Sequence, residues 1–221
     1  MILDKHEKGS VFRIAVLASG RGSNFEALCN GDTGDGRVSL LITDNEKADV
    51  LRKAYELGVE GIYLSPGRFR TKFGEAEEME WTRFMKDRGI DLVCLAGLMR
   101  IIKGPMLEEY RGRIMNIHPA LLPSFPGLHA QKQALDHGVR ITGCTVHYGD
   151  AGIDTGSIIL QKAVHVEDDD TVETLSSRIL DEEHIAYSEA VKLHCSGTLA
   201  VSARHIFKRD GYWFILRYKN A

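Results

Sequence analysis

From Val11 to His118 the chain repeats one unit, a short apolar run followed by a stretch of helical periodicity. Val11–Leu17, Val38–Thr43, Gly61–Leu64, Leu92–Ala96 and Arg113–His118 read as strands. Ser23–Asn30, Lys47–Leu57, Glu75–Asp87 and Pro105–Tyr110 read as the helices between them. Gly58 sits at a C-cap position, and Gly89 closes the third helix. Strands separated by helices pair in parallel through crossovers, so the expected class is α/β, a mostly parallel sheet covered on both faces. Leu92–Ala96, the most apolar run, belongs at its centre. Such sheets bind ligands at the carboxyl ends of their strands, which says where to search.

Beyond His118 the rhythm breaks. Pro119–Gly127 holds three of the chain's five prolines and reads as a stiff, irregular loop. Ala130–His137 reads as a helix, and Arg140–His147 and Ser157–His165 as strands. Asp170 is the expected N-cap, with Glu173 at N3, of a helix reaching about Leu193. Leu199–Phe207 and Tyr212–Tyr218 form an expected hairpin around Asp210-Gly211. A length of 221 residues suits one domain. The expected layout is a flexible lead-in at 1–10, the domain proper at 11–196, and a C-terminal antiparallel hairpin extension at 197–221.

Charge and cysteine content narrow the function classes. The 28 basic and 31 acidic residues leave a net charge of −3, without the basic excess of a nonspecific nucleic-acid binder. Leu92–Met99 is too short to span a membrane, and residues 1–10 lack a signal-peptide core. Four widely separated cysteines form no CxxC pair, so a cytoplasmic protein is expected. No metal-ligand spacing such as HExxH is present.

Four features carry potential chemistry. Ser19-Gly20-Arg21-Gly22-Ser23-Asn24 follows the first strand, where glycines and helix N–H groups suit a phosphate. A ligand-free turn is the alternative. Phe25 stands where a dinucleotide fingerprint wants glycine, so a nicotinamide site is disfavoured, although Asp44 imitates a ribose-binding acid. Asn116 and His118, at i and i+2 of a strand, project to the same face. An amide that stabilises an oxyanion contributes about 10²–10³ in rate. An imidazole that moves a proton contributes about 10²–10⁴. A core histidine with a strand-end cap is the bland alternative. Asp154 sits in the turn-rich run Asp150–Gly156, placed to orient an imidazole, or simply a turn aspartate. Glu183 falls on the apolar helical face of Val172, Leu175, Ile179, Ala186, Ala190 and Leu193. An acid on that face needs a partner or a route to water.

In combination these pieces resemble the folate-dependent phosphoribosylglycinamide formyltransferase family. The resemblance rests on Ser-Gly-Arg-Gly-Ser-Asn at 19–24, Leu-Ala-Gly-Leu-Met-Arg at 95–100, Asn-Ile-His-Pro-Ala-Leu-Leu-Pro at 116–123, Pro-Gly-Leu-His-Ala at 126–130 and Asp154. It runs from about Phe12 to Ser196. It implies a Rossmann-like fold and formyl transfer from 10-formyltetrahydrofolate to the amine of a glycinamide ribonucleotide, without a metal. It implies catalytic roles for Asn116, His118 and Asp154, and glycinamide-substrate binding by Gly22, Ser23, Asn24 and Glu183. Folate binding is implied for Met99, Arg100, Ile101 and Ile102, and for Asp150, Ala151, Gly152, Ile153 and Asp154. A basic residue of the loop before the third helix is also implied, with Arg70 and Lys72 as candidates. Thr155 and Ser157 depart from the family pattern and leave the shape of their loop open.

The partners implied are small molecules, with neither nucleic acid nor membrane, for a monomer or a homodimer. Formyltetrahydrofolate deformylase is the nearest alternative, but normally carries a further domain before the first strand, where about ten residues stand here. Methionyl-tRNA formyltransferase needs an RNA-binding extension. A silent nucleotide or folate sensor would keep the phosphate loop without needing Asn116, His118 and Asp154 together.

Overall fold

A computed structural model describes residues 11–202 and 205–208. Five parallel strands come first: β1 (Phe12–Leu17), β2 (Gly36–Thr43), β3 (Glu60–Tyr63), β4 (Leu92–Leu95) and β5 (Ile114–His118). The helices between them are α1 (Ser23–Asn30), α2 (Val50–Glu56), α3 (Glu75–Asp87) and α4 (Pro105–Glu109). Then come α5 (Ala130–Asp136), β6 (Ile141–Tyr148), β7 (Ile158–His165), α6 (Val172–Cys195), β8 (Leu199–Ser202) and β9 (His205–Lys208). The main sheet runs β3-β2-β1-β4-β5-β6-β7, with β6 and β7 antiparallel.

Strand alternation builds two cores. Ile14, Val16, Leu92 and Cys94 face one side with Phe25 and Leu28 of α1, Val50 and Ala54 of α2, and the apolar face of α6. Ala15, Leu17 and Val93 face the other side with Trp81 and Met85 of α3 and Met106 of α4. β1 lies between β2 and β4, so strand order reverses there, and the crevice beyond β1 and β4 is the topological switch point. Glu78 of α3 accepts the Lys103 and Met106 backbone N–H groups, which fixes the start of α4 just after that crevice.

Three local expectations need correction. The N-cap of α6 is Thr171, whose side chain exchanges hydrogen bonds with Thr174, rather than Asp170 with Glu173. Asp170 is occupied by the Arg178 guanidinium, which holds both of its oxygens at 2.9 Å. The buried face of α6 includes Tyr187, Val191 and His194, while Val172 is exposed and Leu193 only half-buried. Leu199–Phe207 is not one strand: Ser202 pairs with His205, so β8 and β9 form their own hairpin. The intervening Ala203-Arg204 lacks the glycine or asparagine that would have announced a turn. The expected arm Tyr212–Tyr218 and the lead-in at 1–10 lie outside the described residues.

Candidate active site

β5 delivers Asn116 and His118 on one face, as i and i+2 require. Asp154 arrives by a longer route. β6 runs antiparallel to β5 and ends at Tyr148, level with Met115. The loop from Gly149 to Ser157 therefore folds back to bring Asp154 to both residues. Its Oδ1 accepts from Asn116 Nδ2 at 3.3 Å, and its Oδ2 lies 3.3 Å from His118 Nδ1. The Gly127 backbone N–H also donates to Oδ2, at 2.8 Å. Burial pushes the Asp154 carboxyl up, but hydrogen bonding from His147 and Gly127, with the His118 and His147 rings nearby, outweighs this and holds it below the usual carboxylate value.

The loop is self-braced. Asp150 accepts from the Gly152 N–H at 3.0 Å and from the Thr155 hydroxyl at 2.8 Å. A Cβ at Gly152 would lie 1.9 Å from that hydroxyl, so a side chain there would displace Thr155 from Asp150. Thr155 thus closes the loop through Asp150. Asp154, Phe125 and His129 all have positive φ, uncommon outside glycine, and all belong to this loop or to the segment after β5.

His118 is nearly buried, and its Nε2 lies 2.8 Å from the Phe125 carbonyl. Both ring nitrogens therefore face acceptors, and a neutral imidazole donates to only one. His147, opposite Asn116 on β6, completes the cluster. Its Nδ1 lies 2.9 Å from the Tyr148 carbonyl, and its Nε2 lies 3.2 Å from Asn116 Nδ2 and 3.6 Å from Asp154. In the sequence His147 lies near the candidate site but belongs to no metal or catalytic spacing; antiparallel pairing with Asn116 is what brings it into the cluster.

A second cluster forms where α1 meets α6. Gly22 is the N-cap of α1 with φ +72, and a Cβ there would lie 2.3 Å from Val50. Glycine is demanded by the backbone and by Val50. The first turn carries no side-chain cap, which leaves its N–H groups at the helix end around Ser23 and Asn24. Asn24 Nδ2 donates to Glu183 Oε2 at 2.7 Å, and both residues are buried. Burial pushes the Glu183 carboxyl up to about 7 despite that hydrogen bond. Asn24 Oδ1 is buried without a partner.

The segment after β4 divides its roles. Met99 and Ile101 are exposed, whereas Ile102 is buried in the second core. The Met99 N–H donates to Ser19 Oγ at 2.9 Å, which joins this segment to the phosphate loop. Arg100 pairs with Asp44, so Asp44 is spent on an arginine rather than offered to a ribose. Of the basic candidates, Lys72 lies over the Phe69 ring and Arg70 is exposed. Ala151, Gly152 and Ile153 form the exposed tip of the other loop. The four cysteines are free, and burial pushes the Cys29, Cys144 and Cys195 thiols up to about 12, far from thiolate chemistry. No helix among the described residues is long and apolar enough to cross a membrane.

Known proteins are similar to this chain in sequence and fold. The profile of the formyl transferase family matches residues 12–191. A trifunctional purine biosynthetic protein adenosine-3 from Drosophila melanogaster is 43% identical over 86% of this chain, which spans only 14% of that longer protein. A phosphoribosylglycinamide formyltransferase from Bacillus subtilis is 40% identical over 81% of this chain and 93% of its own length. The crystal structure of glycinamide ribonucleotide transformylase 1 from Symbiobacterium toebii superposes with a TM-score of 0.86 at 44% identity, covering 93% of this chain and 98% of that one. A formyltetrahydrofolate deformylase from Pseudomonas syringae shares the fold at 24% identity, with a TM-score of 0.81 over 90% of this chain and 66% of that one. Because the family profile spans most of the chain, and because the Bacillus subtilis enzyme at 40% identity is matched over 93% of its length, the chain belongs to the formyl transferase family, on its phosphoribosylglycinamide formyltransferase branch.

Proposed function

We propose that this chain transfers a formyl group from 10-formyltetrahydrofolate to the glycinamide amine of N1-(5-phospho-D-ribosyl)glycinamide. The observation that carries the reading is the Asp154 carboxylate, which spans Asn116 and His118 at 3.3 Å each. An amide donor and an imidazole held by one ionised acid suit acyl transfer between nitrogens.

The chain offers each substrate a fitting surface. The open N-terminus of α1 suits the ribonucleotide phosphate. Glu183 and the unpartnered Asn24 Oδ1 are acceptors for the N–H groups of a glycinamide. Met99 and Ile153, 62% and 58% exposed, supply apolar contact for a flat folate ring from the two segments implicated in folate binding.

Attack by the amine nitrogen on the formyl carbon forms one C–N bond and places negative charge on the formyl oxygen. Asn116 Nδ2 donates to that oxygen, giving up Asp154 or His147 as it does so. His118 donates from Nε2, giving up the Phe125 carbonyl. Asp154, held ionised, stabilises the charged ring and keeps it oriented. The bond to folate N10 then breaks. The proton lost by the amine reaches N10 through His118, or through a water that His118 and Asp154 position. Binding both substrates side by side removes the entropic cost of their meeting.

The test is formyl transfer with and without the ribonucleotide, for wild type and His118→Ala, quantifying tetrahydrofolate and formylated product. Product only with the amine substrate, lost in the variant, is expected. Tetrahydrofolate and formate without the amine would establish a deformylase. No turnover with both ligands still bound would leave a sensor.

A further inference from the structure

We propose that the buried Asp44–Arg100 pair is a latch joining the basic loop at 65–72 to the segment at 99–102, which makes Asp44 a positioning residue for the folate co-substrate. The functional half of this inference rests on the formyl-transfer reading above.

Arg100 Nε lies 2.5 Å from Asp44 Oδ2, and the two side chains are 12% and 8% exposed. The same guanidinium donates through Nη1 to the Phe69 carbonyl and, at 3.3 Å, to the Lys72 carbonyl. The Ile101 N–H donates to the Thr71 carbonyl at 2.9 Å, and Lys72 and Ile101 form an isolated parallel bridge. One guanidinium thus gathers three pieces of chain: the end of β2, the loop before α3 and the segment after β4. Ser19 Oγ and Glu78 hold the flanking N–H groups of Met99 and Lys103, so Arg100 governs the middle of the segment.

The pair is costly to break from one side. Removing the carboxylate leaves a nearly buried guanidinium charge unpaired, whereas removing both charges does not. With Nε on Asp44 and Nη1 on two carbonyls, Arg100 orders backbone through two of its three guanidinium nitrogens. Arg68, Arg70 and Lys72 ride on the loop it holds. Their placement near the folate segment therefore depends on Asp44, a residue of the strand end on the other side of the switch point.

Asp44→Asn, Arg100→Met and the double variant test this. Asp44→Asn raises KM for 10-formyltetrahydrofolate about tenfold while kcat and KM for the ribonucleotide stay within about twofold. Trypsin cleaves after Arg68, Arg70 or Lys72 faster in every variant than in wild type. The double variant recovers thermal stability relative to Asp44→Asn, yet its folate KM is no higher than that of Arg100→Met alone, because the two changes cut one connection. Wild-type folate affinity and wild-type tryptic rates in Asp44→Asn would overturn the latch. If wild type itself neither binds nor uses the folate, the formyl-transfer reading fails. The tryptic rates, which need no substrate, still decide whether the pair holds the loop.

Discussion

Asp154 reaches His118 from the wrong end of its hairpin, and still sets its Oδ2 3.3 Å from the imidazole Nδ1. The other oxygen of the carboxylate holds Asn116, and the Gly127 N–H fixes the carboxylate between them. One acid thereby orients both groups assigned to the proposed formyl transfer. Asp154→Asn keeps the volume but removes the charge. We expect kcat to fall by about 10²-fold or more, with the folded structure retained. Its pH–rate profile should differ from that of wild type, because the imidazole loses the carboxylate charge that faces its Nδ1. A superimposable profile would contradict the pairing.

Asn116→Ala removes the donor proposed for the developing oxyanion. Turnover should drop about 10²–10³-fold, with substrate KM values changed far less. His147 makes this prediction more specific. Its Nε2 lies 3.2 Å from the Asn116 amide, so His147→Phe frees that amide to turn away. The His147 variant should lose part of the same factor, and adding it to Asn116→Ala should cost little more. Full additivity of the two losses would show that His147 acts independently of Asn116.

Glu183 makes stability depend on pH in the neutral range. Its carboxyl stands at about 7 when folded and near the ordinary value when unfolded. The native state therefore holds the extra proton between those values, and stability falls as pH rises through that window. The loss amounts to about 3 kcal/mol once pH exceeds 7. Glu183→Gln should raise Tm at pH 8 more than at pH 5, while weakening ribonucleotide binding. Thermal melts at the two pH values check the first effect, and titration calorimetry the second. A variant that changes only stability would remove Glu183 from the binding site.

His194 acts on the acid side. Burial, assisted by the Arg113 charge, holds its ring down to about 4, and its Nδ1 lies 2.8 Å from the Tyr148 hydroxyl. Below the ordinary histidine value the unfolded chain takes up a proton that the folded chain refuses. Stability is thus lost as pH falls from about 6.5 toward 4, by about 3 kcal/mol in total. His194→Gln should flatten this part of the stability curve in urea titrations. An unchanged acid slope would show that other groups set it.

The strand–helix order was legible because apolar runs and helical periodicity are local properties. So was the shared face of Asn116 and His118, which follows from a period of two. Glu183 stood out because an acid on an apolar helical stripe breaks a pattern. Other features lacked a local signature. The sequence points to Asp170 as readily as to Thr171 because both are good capping types, and only the Arg178 contact commits Asp170 elsewhere. β8 and β9 read as one strand because Ala203-Arg204 between them carries no glycine, proline or asparagine. Asp44 suggested a ribose ligand, while its actual partner lies 56 residues away.

The sequence by itself determined the class of fold, the strands that bear the candidate site, and the residue types available for acyl chemistry. Those follow from side-chain periodicity and from which backbone torsions glycine and proline permit. Tertiary structure decided which of those residues meet. It folded the Asp154 loop back over β5, set His147 against Asn116, joined Asn24 to Glu183, and spent Arg100 on Asp44. The physical reason is distance along the chain. Propensity and periodicity act over a few residues, whereas each of these contacts is made only after the sheet and its two cores have brought remote segments within hydrogen-bonding range.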